Sequence, residues 1–136
     1  MHQINDIAAL RFPMPQPGDV RPADAYDDAC EQVAAQREEA ATNLEAASEG
    51  LDEDALLLAL KDITARRNAL DAEMRRLLAY GREFHGKRAY ELDPLAEATG
   101  LTASGVRTAY GQAEVEQVER ELHRKPNHPK RKDQWS

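Results

Sequence analysis

Between Leu56 and Phe84 the large apolar residues recur at alternating steps of four and three. Leu56, Leu60, Ile63, Leu70, Met74, Leu77 and Phe84 keep this rhythm, with Arg67 at one position of the same series. Only an α-helix gathers such positions on one side, because 3.6 residues complete a turn. The pattern is that of a coiled-coil seam over roughly four heptads. It predicts a helix from Glu53 to about His85, on the order of 50 Å long. Leu57, Leu58 and Leu78 widen the apolar band beyond the seam. Three partners suit such a seam: the preceding helix folded back, the same helix of a second chain, or a different protein.

The preceding helix is expected over Asp24–Ser48. Tyr26, Cys30, Val33, Ala40, Leu44 and Ala47 lie on one side of it, and Arg37 interrupts the stripe. The stripe is rich in alanine, so this helix is marginal alone and needs a partner. Gly50 is expected to end it. Asp52 then caps the next helix, Glu53 and Asp54 complement its positive start, and Leu51 staples onto Leu56. A short turn over 48–51 favours an antiparallel hairpin. Because the first helix has few large residues, a homodimer through the Leu56–Phe84 seam is expected to share this surface. Arg67 then sets register or snorkels.

The rest of the chain suits an all-α protein. There is no alternating β-branched run, while Ala, Glu, Arg and Leu are abundant. Residues 1–22 carry Pro13, Pro15, Pro17, Gly18 and Pro22 and are read as an extended, disordered arm. Ile4, Ile7 and Leu10 are left for a brief helical turn or a frayed end. The longest wholly apolar run, Ala55–Leu60, is far too short to span a membrane. The first residues lack a basic lead and a long apolar core, unlike a secretory signal. A single cysteine, Cys30, excludes an internal disulfide, fits a reducing cytoplasm, and is read as a small buried apolar residue.

From Leu92 to Gly111 the chain reads LDPLAEATGLTASGVRTAYG. Asp93 is the expected cap of a first helix, and Pro94 suits its first position. Leu95, Ala96 and Thr99 share a face. Gly100 sits where the chain must turn through a left-handed conformation. Leu101 plugs the turn, Thr102 caps a second helix, and Val106 and Ala109 point inward. Leu95, the small Ala96, Gly100, Leu101, Val106 and Ala109 give this segment its likeness to a known motif. It resembles the helix-turn-helix of bacterial repressors and of the promoter-reading region of sigma factors. Gly105 inside the second helix and the small Ala109 depart from the usual pattern.

That resemblance implies double-stranded DNA as the partner, with the second helix in the major groove. Arg107 is then the base reader, its fork matching the two acceptors of guanine. Ser104 and Thr108 donate to phosphate or base, Ala103 touches a thymine methyl, and Thr102 leads the helix chiefly as its cap. Tyr110 reaches phosphate through its hydroxyl or belongs to the core. Lys87 and Arg88, together with Arg124, Lys125, Lys130, Arg131 and Lys132, are candidates for phosphate contact.

Charge is unevenly placed. Residues 1–60 hold three Lys or Arg against thirteen Asp or Glu, and residues 61–136 hold fifteen against twelve. An acidic half thus precedes a basic one, a legitimate hint of a nucleic-acid face. A further stretch with Val115, Val118 and Leu122 inward completes the core under the reading helices until Pro126 stops it. His2, His85, His123 and His128 do not stand at metal-ligand spacings with other ligands, and no glycine loop suits a phosphate. No catalytic residue, metal or cofactor is expected.

The expected architecture is a disordered arm over 1–22, a long two-helix hairpin or coiled coil over 23–86, a helix-turn-helix domain over 87–124 and a basic disordered tail over 125–136. The expected function is a cytoplasmic, sequence-specific transcriptional regulator that acts as a dimer. The alternative is a helical interaction or accessory protein, antitoxin-like or a DNA-architectural adaptor, whose acidic N-terminal helices bind a protein partner.

Overall fold

A computed structural model describes residues 2–86 and 88–127. Among the described residues the chain is all-α, with no strand. The elements are α1 (His2–Arg11), a 3-10 turn (Ala23–Ala25), α2 (Tyr26–Leu51), α3 (Ala55–Glu83), α4 (Leu92–Thr99), α5 (Ala103–Ala109) and α6 (Gln112–Leu122). The chain divides into two compact units, Met1–Arg66 and Arg67–Ser136. The division falls inside α3 rather than at residue 86, because Ala79 and Phe84 belong to the core of the second unit.

In the first unit, the segment expected to be a disordered arm begins with a ten-residue helix. The prolines start only at Pro13, so nothing in His2–Arg11 forbids helix. α1 buries Ile7 and Ala8. Ile7 joins Leu44 of α2 and Ala55 and Ala59 of α3 in one apolar cluster, flanked by Ile4 and Leu58. Arg37, which looked like an interruption of the α2 stripe, has a definite task. Its Nε donates to the Phe12 carbonyl at 2.8 Å and its Nη2 to the Ala9 carbonyl at 3.4 Å. A cation thereby satisfies carbonyls that the end of α1 leaves without partners. Arg11 adds an ion pair to Asp62 at 3.1 Å.

The turn between α2 and α3 differs from expectation. Gly50 does not end α2, which runs on to Leu51. The chain reverses at Asp52, whose φ of 52° is left-handed. Aspartate is among the few residues other than glycine that visit this region readily. Asp52 therefore closes α2, and the start of α3 is capped by Asp54, whose Oδ2 accepts the Leu57 N–H at 3.0 Å. Ser48 Oγ donates to the Glu53 carbonyl and ties the turn together at 2.6 Å.

The leucine seam is not what α3 buries within the chain. The buried side chains of its first turns are Ala55 and Ala59, while Leu56, Leu60, Ile63, Leu70 and Leu77 are exposed. These alanines meet Ile7 and Leu44, and the larger seam is turned elsewhere. Phe84, assigned to the same seam, is fully buried in the second unit with Ala79, Val115 and Val118.

In the second unit α6 packs through Val115 and Val118, and Tyr80 and Tyr110 complete the cluster. Leu122, expected inward, is exposed. The helix ends there because His123 turns left-handed at φ 57°, three residues before Pro126. Glu114 bends back so that its Oε2 accepts the Gly111 N–H at 3.0 Å, securing the other end of α6. Beyond α6 the chain returns to the end of α3. The Asn127 N–H donates to the Glu83 carbonyl at 2.6 Å and Arg124 Nη2 to the Phe84 carbonyl at 3.1 Å. Lys87 and residues 128–136, with the basic positions Lys130, Arg131 and Lys132, lie outside the described residues.

Candidate nucleic-acid interface

Gly100 controls the geometry of this region. It closes α4 with φ 74°, where a side chain would be strained. Three residues, Gly100–Thr102, then separate α4 from α5. Thr99 braces the turn from inside. Its hydroxyl donates to the Leu95 carbonyl at 2.7 Å, and its oxygen accepts the Leu101 N–H at 3.3 Å. Thr102 caps α5, with Oγ1 accepting the Gly105 N–H at 2.9 Å.

The start of α4 differs from the sequence reading. Glu91, not Asp93, occupies the cap position, and no side chain caps the helix there. Pro94 is the third residue of α4 rather than the first. It remains acceptable because the opening turn lacks intrahelical partners for its N–H groups. Leu95, Ala96 and Thr99 are half-buried, while Glu97 and Ala98 are exposed, so the expected face is the inward one.

Gly105 is more than a weak point in a short helix. A Cβ there would sit 3.2 Å from Thr102 Oγ1 and 3.4 Å from Leu101 Cβ. The cap and the turn residue occupy the space that a side chain would need. Gly81 on α3 is less crowded, with Tyr90 and Leu95 side chains at ordinary contact distances of 3.6 and 3.7 Å from where its Cβ would be. The Tyr90 N–H donates to the Gly81 carbonyl at 2.9 Å, and Arg82 Nη1 donates to the Tyr90 carbonyl at 2.7 Å. The His85 and Tyr90 rings lie 4.4 Å apart between centres, tilted by 60° to one another. These contacts fasten the connector that leads into α4.

Val106 is fully buried and anchors α5. Ser104, Arg107 and Thr108 are exposed, at spacings of three and four that place them on one side of the helix. Among the described residues Arg107 has no ion-pair partner. Thr102 is exposed and Ala103 half-buried at the start of the same helix. Thr108 Oγ1 donates to the Ser104 carbonyl at 3.2 Å, leaving its oxygen lone pairs outward as acceptors.

Tyr110 is held away from any phosphate role by its own hydrogen bond. Its hydroxyl donates to Glu83 Oε2 at 2.7 Å. Burial, the bond to Glu83 and the charge of that carboxylate push the phenol well above its ordinary value of 10.0, and Arg82 offsets part of the rise. Tyr110 therefore belongs to the core alternative of the sequence reading. Arg88 is exposed in the connector, and its carbonyl lies 3.2 Å from His85 Nδ1. Arg124 already serves the Phe84 carbonyl, and Lys125 Nζ pairs with Glu119 at 2.8 Å, which raises the Lys125 pKa.

Sequence reasoning missed Glu83 and Gly81. Glu83 is a carboxylate buried at the end of α3. Its one sequence signal was its place beside Phe84 at the end of the seam. Gly81 occupies the next step of the seam spacing after Leu77 and breaks the apolar series there. Compared with known protein families, curated proteins and solved structures, the chain matches none. Among the described residues no helix is long and apolar enough to cross a membrane.

Proposed function

We propose that this chain is a sequence-specific DNA-binding regulator of the helix-turn-helix kind, with α5 as the reading helix. The observation that carries the reading is the two-sided character of α5. Val106 is fully buried, while Ser104, Arg107 and Thr108 are exposed together on the opposite side. The left-handed Gly100 and the Thr102 cap, three residues from α4 to α5, add the geometry of a tight turn between two helices.

In this reading Arg107 presents its fork to guanine N7 and O6, the commonest specific contact in the major groove. Ser104 donates to phosphate or base. Thr108, its proton already given to the Ser104 carbonyl, accepts from an exocyclic amine. The affinity needed to hold the duplex comes from elsewhere. Residues 92–122 hold Arg107 and Arg120 against six Asp or Glu. Phosphate neutralisation therefore falls to Lys87 and Arg88 and to Lys130, Arg131 and Lys132, since Arg124 and Lys125 are engaged by the Phe84 carbonyl and Glu119. A single copy binds weakly on these terms, which favours two copies on two half-sites about one helical turn, or a multiple of it, apart.

The acidic balance around α5 favours one second reading, an interaction or accessory protein whose helices bind another protein. A mobility-shift assay with random genomic fragments, repeated over a range of salt concentrations, separates the two. Retention that weakens steeply with salt and enriches a short pseudo-palindrome supports the regulator. Retention without enrichment indicates an architectural binder. No retention at low salt overturns DNA binding.

A further inference from the structure

The apolar side of α3 is open over five turns of helix. Leu60 is 49% exposed, Ile63 39%, Leu70 64% and Leu77 64%. Every residue from Lys61 to Leu70 is exposed. Scattered surface leucines need no explanation, but a heptad series on one side of an unbroken helix marks a surface built to be covered. We propose that a second copy of this chain covers it, with the two α3 helices running antiparallel.

Charge selects both the occupant and the direction. In the seam Leu60, Arg67 and Met74 form one set of core positions, and Ile63, Leu70 and Leu77 form the other. A parallel pair stacks each set on itself and drives Arg67 onto the partner's Arg67. An antiparallel pair sets one kind of position against the other. Leu60 then meets the partner's Leu77, Ile63 meets the partner's Met74, and Arg67 meets the partner's Leu70. No like charges face each other at the centre, and the arginine stem lies along a leucine.

The flanking residues agree. Arg66 and Glu73, both exposed, occupy equivalent positions beside the seam. In the antiparallel register each Arg66 lies beside the partner's Glu73, so the pair of opposite charges occurs twice. Arg66 also pairs with Asp62 of its own helix at 3.1 Å, so this flank accompanies the choice of direction that Arg67 makes and does not decide it. A self-complementary surface of this kind is what a two-fold symmetric dimer requires.

The inference rests on α3 alone and is read without DNA, so its failure leaves the DNA reading standing. Full-length chains carrying Cys30→Ser together with Leu60→Cys or Leu77→Cys, each with a different tag, are mixed and mildly oxidised. The expected product is the mixed disulfide between the two kinds of chain. Disulfides of Leu60→Cys with itself establish the parallel pair and overturn the proposal, and equal amounts of all products reveal random collision and do the same. Sedimentation of the unaltered chain at micromolar concentration should give a dimer, and Leu70→Asp should give a monomer with unchanged helix content, since Leu70 is exposed. A monomeric unaltered chain overturns self-pairing.

Discussion

The Tyr110 hydroxyl lies 2.7 Å from Glu83 Oε2, a bond that joins the residue closing α5 to the last residue of α3. It determines how firmly the base of the reading helix is held. Tyr110→Phe removes the donor and leaves a buried carboxylate short of a partner. The expected loss is about 1–2 kcal/mol of unfolding free energy, measured by denaturant titration. A loss no larger than the scatter between repeat titrations would mean that Glu83 does not depend on this donor.

The same bond gives the protein an alkaline limit. The folded phenol keeps its proton to higher pH than the unfolded phenol, which loses it near 10.0. The contribution is therefore complete below that pH and is lost as pH rises from there toward the folded value. Thermal unfolding followed between pH 8 and about 11 should show stability falling at the upper end. The fall should be shallower in Tyr110→Phe, and equal slopes in the two proteins would contradict the assignment.

Two glycines on helices should respond in different ways to the same change. Gly81→Ala places its Cβ in ordinary contact, 3.6 Å from Tyr90 Cδ1, and should stabilise the protein by about 0.5–1 kcal/mol. Gly105→Ala crowds the capping oxygen of Thr102 at 3.2 Å. What helix propensity adds there is offset by a weakened cap, about 1 kcal/mol in the opposite direction. Denaturant midpoints of the two variants test the contrast, and an equal rise in both would show that the Thr102 cap yields freely.

Arg37→Ala should loosen α1 without unfolding α2. The Phe12 and Ala9 carbonyls lose their donor, at a local cost of about 1 kcal/mol. Hydrogen exchange should quicken at the amides of α1 and remain unchanged toward the end of α3. Uniform acceleration across the chain would instead make Arg37 part of the global core.

For the proposed DNA contact, Arg107→Ala should weaken specific binding by about 1–3 kcal/mol and relax the preference at one base pair. Lysine at that position should not restore the preference, because it lacks the planar fork. Selection and sequencing of bound fragments with each variant is the measurement. An unchanged sequence preference would remove Arg107 from the reading role.

The parts of this fold legible in the sequence were those set by local chemistry. Gly100, Thr102 and Val106 did what a turn glycine, a cap and an inward apolar residue do anywhere. The seam likewise gave the extent of α3 to within a few residues. What was hidden depended on partners remote in sequence. Arg37 looked like a flaw in a stripe because the carbonyls it serves lie about 25 residues away. Ile4 and Ile7 looked like a fraying end because Leu44, Ala55 and Ala59 are what they pack on. Tyr110 offered a phosphate contact or a core role, and only Glu83 decided between them. At the α2–α3 turn two acidic residues competed for one task, and backbone handedness gave Asp52 the closing of one helix and Asp54 the opening of the next.

Because α1 lies over Leu44 and Ala59, the first dozen residues act as a cover for an otherwise greasy patch. Trimming the chain at Pro13, an obvious choice for anyone simplifying it, would strip that cover. The shortened product would tend to clump for reasons unrelated to the leucines of α3. Its apparent size would then say nothing about how intact molecules assemble.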